Sequence, residues 1–114
     1  MESTRQKKVS RQILKDLSEI FQINGRDIIG TSFVSVTVVR VSPDLSVARV
    51  YVSVFGTEEK ENLLKTINIK ANVIRRKLGL RVKNQMRKVP ELKFFLDDSV
   101  DYSAQIEDLL NNNK

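Results

Sequence analysis

The stretch Lys70 to Lys93, KANVIRRKLGLRVKNQMRKVPELK, holds nine Lys or Arg against one acid, Glu91. The formal charge of all 114 residues is only +6, so positive charge is gathered here rather than spread. Read as a helix, Ile67, Ala71, Ile74, Leu78 and Val82 recur at spacings of three and four. They lie within about 80° of arc, a stripe wide enough to seat on a core. Arg76 and Lys83 then point the opposite way, with Arg75 and Lys77 on the flanks; Lys70, Arg81, Arg87 and Lys88 are the further candidates of the run. Guanidinium and ammonium groups on a helix anchored by its other side suit a polyanion, because each phosphate neutralised releases condensed counterions. A charge run more often forms a merely solvated face, but such faces mix signs and this one does not.

Other chemistries fall away by subtraction. With no His and no Cys, the commonest general bases, nucleophile partners and transition-metal ligands are absent, and so are disulfides. The four glycines are scattered and make no phosphate-cradling loop. Asp97, Asp98 and Asp101 could suggest a divalent-ion site, yet capping of a following helix accounts for them as well. A non-catalytic protein with no metal and no cofactor is expected. Tyr51 could stack a base, but with few aromatics and no second ring at the spacing of sheet-based RNA readers, packing beneath a helix is the expectation. A pI near 9.8 points to nucleic acid ahead of membrane. No apolar run is long enough to cross a bilayer, and MESTRQKKVS lacks the apolar segment of a signal peptide, so the cytoplasm fits best.

Several elements must position the basic stretch. An amphipathic helix is predicted from Ser3 or Thr4 to Ile23, carried by Val9, Ile13, Leu14, Leu17, Ile20 and Phe21 and closed by Asn24 and Gly25. Arg5, Lys7, Lys8, Arg11 and Lys15 load its first half with the wrong sign for a helix N-terminus. A local rule broken without evident gain hints at function, which adds Arg5, Lys7, Lys8 and Arg11 to the candidate RNA contacts. Phe33 to Val41 and Val47 to Phe55 read as a hairpin around SPDLS, with a bulge near Val38 and Val39 reconciling two phases of valine. A helix opening at Thr57 follows, and the weak helix propensity of INIKAN predicts an elbow at Lys70, Ala71 and Asn72. Asn72 is expected to hold it in left-handed geometry, with the Lys70 ammonium reaching RNA. Pro90 should stop the basic helix and start a strand, Glu91 to Asp97. A short helix from about Ser99 or Asp101, carried by Tyr102, Ile106, Leu109 and Leu110, should complete one domain over residues 1–110, with 111–114 a disordered tail. The sum is an α+β domain, with helices covering a three-stranded mixed sheet.

The runs VSPDLSVARVYVSVFG (41–56), IRRKLG (74–79) and VPELKFFLDDSVDYSAQIEDLL (89–110) resemble, in that order, the bacterial ribosome-binding factor A family. The resemblance implies a single type II KH-like domain without a GxxG loop. It implies binding to the free or immature small (30S) ribosomal subunit near the 5′ end of 16S rRNA, and a role in late rRNA processing and subunit maturation that is most needed in the cold. Contacts to ribosomal proteins or an assembly GTPase stay open; a monomer with no membrane partner is expected. Two departures from the family pattern stand out. Lys70, Ala71 and Asn72 occupy the place of an Ala-x-Gly, and GLRVKNQMRKVPEL makes the segment from Gly79 to Pro90 longer than usual. From the charge alone, two alternatives remain: an adaptor docking an acidic protein, and a generic RNA-binding KH-like module.

Overall fold

The computed structural model describes residues 2–30 and 33–97. Their order is α1 (Thr4–Ile29), β1 (Phe33–Val41), β2 (Val47–Phe55), α2 (Lys60–Ile69), α3 (Ala71–Val82) and β3 (Glu91–Leu96). The short helix expected after Ser99 and the tail lie outside the described residues.

Ser3 opens α1 with a reciprocal cap: its hydroxyl accepts from the Gln6 N–H at 3.1 Å, and the Ser3 N–H donates to Gln6 Oε1 at 2.7 Å. Gln6 Nε2 also donates to the Val41 carbonyl at 2.9 Å, fixing the start of α1 over the end of β1. The helix does not stop at Asn24 and Gly25 but runs on to Ile29. Burial decides this: Ile28 and Ile29 are 3% and 7% exposed, and each contributes about 1.5–3 kcal/mol by leaving water. A glycine inside a helix costs only about 1 kcal/mol. Gly30, at φ 67°, makes the actual stop.

β1 pairs antiparallel with β2, and β2 pairs parallel with β3, in the order β1-β2-β3. The bulge lies one residue earlier than expected, on Thr37, between the pairs Val36–Val52 and Val38–Tyr51. Its hydroxyl donates to the Tyr51 carbonyl at 3.2 Å and contacts the Asp97 carboxylate. The slip lets Val34 and Val36 before it, and Val39 and Val41 after it, all face the core.

The connection between α2 and α3 is a one-residue break. Lys70 sits at φ −91°, ψ 8°, while Asn72 lies inside α3. Among the described residues Leu45 alone, apart from glycine, has a positive φ, so Asn72 does not hold the elbow in left-handed geometry. Two other expected ends also move. The Thr57 hydroxyl accepts from the Glu59 N–H at 3.0 Å, a local turn that delays α2 to Lys60. α3 ends at Val82, well before Pro90, where the N–H groups of Gln85 and Met86 both donate to the Val82 carbonyl and turn the chain back toward the core.

Helices cover one face of the sheet. Ile13, Leu17, Val50, Val52, Ile74, Leu78 and Val82 are fully buried between them, and Phe94 meets Phe21 edge-on at 6.2 Å. β3 is an edge strand, and the Asn68 side chain from α2 covers its middle, donating to the Phe94 carbonyl at 3.0 Å and accepting from the Phe94 N–H at 2.9 Å.

Local geometry makes two outcomes measurable. A Cβ at Gly25 would meet nothing within 4 Å, so Gly25→Ala should stabilise the chain by about 0.5–1 kcal/mol in urea denaturation. In the 42–46 turn the Asp44 carboxylate accepts from the hydroxyls of Ser42 and Ser46, each at 2.7 Å, and from the Ser46 N–H at 3.1 Å. The Ser42 hydroxyl foremost, then Ser46, holds its pKa down from 3.8 to about 2. A depressed carboxyl stabilises the fold above its unfolded pKa, and that contribution is lost as pH falls through its folded pKa. The melting-temperature gap between the natural chain and Asp44→Ala should therefore hold steady from pH 7 to about 5 and close between about pH 4 and 2.

Candidate nucleic-acid interface

Ile13 and Leu17 turn α1 toward the sheet, and the helical period then decides where its cations go. Lys7, Lys8, Arg11 and Lys15 fall within about 100° of arc on the far side. All four are exposed, as is Arg5, and no acid stands in the first turn to offset them. On α3 the same logic, with Ile74, Leu78 and Val82 buried, leaves Arg76 exposed, Lys77 on the flank and Lys83 exposed at the C-cap.

The two ends of this surface meet at a cavity of about 390 Å³, lined by Arg5 and Val9 from α1, Asp44 and Ser46 from the hairpin, and Arg87 and Lys88 from the 83–90 loop. Arg5, Arg87 and Lys88 are distant in sequence, yet the fold gathers them around one concavity. The 83–90 loop carries two of the three cations.

Three candidate cations turn inward. The Arg75 guanidinium donates to the Val89 carbonyl from Nε at 3.1 Å and Nη2 at 2.6 Å, and from Nε to the Pro90 carbonyl at 3.2 Å. It pins the loop that leads into β3. Arg81 Nε donates to Asp16 Oδ1 at 3.0 Å, and its Nη2 lies against the Glu19 carboxylate, so this side chain joins α3 to α1. Lys70 Nζ donates to the Ile28 carbonyl at 3.1 Å, placing a cation at the negative end of α1. Lys70, Arg75 and Arg81, read from the sequence as RNA contacts, thus each have donors committed to groups within the fold, while the Arg81 side chain stays 32% exposed. Their partners lie 14 to 65 residues away in sequence, which helical periodicity alone does not see.

Tyr51 is likewise not beneath a helix. It lies on the sheet face away from the helices, stacked on Phe95 with ring centroids 5.6 Å apart. The same face carries Arg40, Arg49 and Lys93, all exposed and all outside the first set of candidates. Outward-phase cations in otherwise apolar strands were the available signal. On α3, Val73 and Leu80 are 48% and 70% exposed beside Arg76 and Lys77, which gives that surface an apolar component.

The division between inner and outer cations is measurable. Arg81→Ala leaves Asp16, only 5% exposed, without its cation and should cost about 1–3 kcal/mol in urea denaturation. Arg76→Ala should change stability by no more than about 0.5 kcal/mol.

The arrangement has relatives of known family. The family model described as ribosome-binding factor A matches residues 5–110. A ribosome-binding factor A of Cytophaga hutchinsonii is 47% identical over 111 residues, spanning 97% of this chain and 84% of that protein. The crystal structure of ribosome-binding factor A from Thermus thermophilus superposes with a TM-score of 0.65 at 28% identity, over 80% of this chain and 94% of the other. Coordinates of the Thermus thermophilus factor fitted into the cryo-EM map of its complex with 30S give a TM-score of 0.62 at 29% identity, over 78% and 91%. The shared architecture is KH-like, an α+β domain with a three-stranded mixed sheet. By sequence and by fold, the chain belongs to the ribosome-binding factor A family.

Proposed function

We propose that this chain is a non-catalytic, RNA-binding assembly factor of the cytoplasm that binds the free or immature small (30S) ribosomal subunit and assists late processing and maturation of 16S rRNA. The observation that carries this reading is the cation-rich outer surface of α1 and α3: Lys7, Lys8, Arg11 and Lys15 on α1 with Arg76 and Lys83 on α3. Of the acids on α1, Asp16 is buried against Arg81 and Glu19 lies against the same guanidinium, so cations still outnumber acids on the outer faces of α1 and α3. The Thermus thermophilus relative, placed in a 30S complex, supports the choice of partner.

Lys and Arg on a helix surface meet phosphates and the shape of folded RNA rather than base edges, so recognition rests on the tertiary form of the subunit. The elbow adds rigidity instead of a clamp. A GxxG loop lets phosphate approach bare backbone, whereas here Lys70 is tied to Ile28 and aims α3 along the surface. At low temperature misfolded RNA pairings persist longer, which is when a factor holding a late conformation matters most.

A second reading draws on Val73 and Leu80. Exposed apolar side chains beside cations suit an acidic protein partner on the subunit or elsewhere. Salt tests the phosphate reading: binding loses up to about 0.9 in the slope of log K against log salt for each contact removed if the RNA is duplex. Arg76→Glu with Lys83→Glu should abolish co-sedimentation with purified 30S subunits while circular dichroism stays unchanged. Retained co-sedimentation would refute the phosphate reading, and binding of the natural chain to an acidic protein fraction in place of subunits would favour the adaptor.

A further inference from the structure

The strand register sets three cations abreast on the sheet face opposite the helices. Arg40 pairs directly with Arg49, and Arg49 pairs directly with Lys93. All three are exposed. Like charges directly opposite one another destabilise a sheet. Glu2 offsets part of this through Arg40 Nη1 at 3.0 Å, and Glu91 stands two residues before Lys93 on the same strand face. Among the described residues no acid pairs with Arg49 or Lys93. A row of cations kept at a cost to the fold points to an anion that is not part of the fold.

What lies beyond the row narrows the anion. One pleat further, about 6.7 Å along the strands, Tyr51 pairs with Phe95 and their rings stack. The next rung is Ser35, which is exposed, with Ser53, which is buried. Beyond it Phe33 pairs with Phe55, at 66% and 51% exposed. Cations, rings and, past a serine rung, rings again match a strand of nucleic acid whose bases are unstacked from one another. An apolar partner protein would use the rings but not three cations in a row.

We propose that this sheet face is a second site, which binds single-stranded RNA: Arg40, Arg49 and Lys93 hold phosphates, and the Tyr51–Phe95 and Phe33–Phe55 pairs stack bases. The site is independent of the helix-layer surface and does not rest on the 30S reading of that surface. Duplex RNA is excluded from it, since paired bases cannot reach the rings.

The test uses the full chain and a fluorescein-labelled ten-nucleotide oligouridylate or oligoadenylate, read by fluorescence polarisation. Arg49→Glu places an acid between two cations, so it should raise the melting temperature while lowering affinity at least tenfold, a pairing of effects that loss of folding does not produce. Tyr51→Leu with Phe95→Leu keeps the apolar bulk and should lower affinity about fivefold or more. Arg76→Glu with Lys83→Glu should leave oligonucleotide binding largely intact. Three results would overturn the site: no binding by the natural chain at sub-millimolar concentration, binding indifferent to both sheet variants, or sedimentation showing a dimer that the leucine variants dissociate while no oligonucleotide binds. None of these bears on whether the helix layer holds the subunit.

Discussion

Two basic helices cannot be laid side by side without something between them, and in this protein that something is Asp16. It is almost fully buried, and a carboxylate there is tolerable only because Arg81 reaches it from α3 while Gln12 donates from its own helix. Glu19 takes the other arm of the same guanidinium. The pairing sets the lateral position of α3 against α1. The outward directions of Arg11, Lys15, Arg76 and Lys83 follow from the burial of Ile13, Leu17, Ile74, Leu78 and Val82 on the opposite faces of the two helices. One inward acid thus ties together the two helices that carry the outward cations, and it withdraws one guanidinium, Arg81, to do so.

Much of the architecture was legible in the sequence because its causes are local. β1 and β2 begin and end where the β-branched runs do, and two valine phases foretold the bulge. The failures share a cause of another kind. α1 overran Asn24 and Gly25 because Ile28 and Ile29 gain more by burial than the glycine costs, a balance visible only once the core is known. α3 stopped short of Pro90 because Met86 turns back to the core, and Asn72 proved an ordinary helical residue beside a break carried by Lys70.

The same distinction runs through the functional surface. Helical period alone separates Lys7, Lys8, Arg11 and Arg76 from the core side, and they stand where it puts them. It could not separate Arg75, Arg81 and Lys70 from their neighbours, because what claims these three is a loop carbonyl, a buried acid and a helix end brought close by folding. The sheet face was hidden for the opposite reason. Tyr51 and Phe55 share β2, but Phe33 and Phe95 reach them only across the sheet, and Arg40, Arg49 and Lys93 become a row only when register aligns them.

The Asn68 amide has a consequence for life in a crowded cell. β3 is only six residues long, and its outward main chain is met at its middle, at Phe94, by a side chain that supplies both a donor and an acceptor. A second molecule seeking to extend the sheet from β3 would find the central pair taken and α2 in the way, with too little strand left on either side to start a ladder. A protein that displays aromatic rings on an exposed sheet is ordinarily at risk of stacking edge to edge with its own copies. Here the polymerisation route at that edge is closed by one amide, and the rings beside it can stay uncovered without β3 becoming a template.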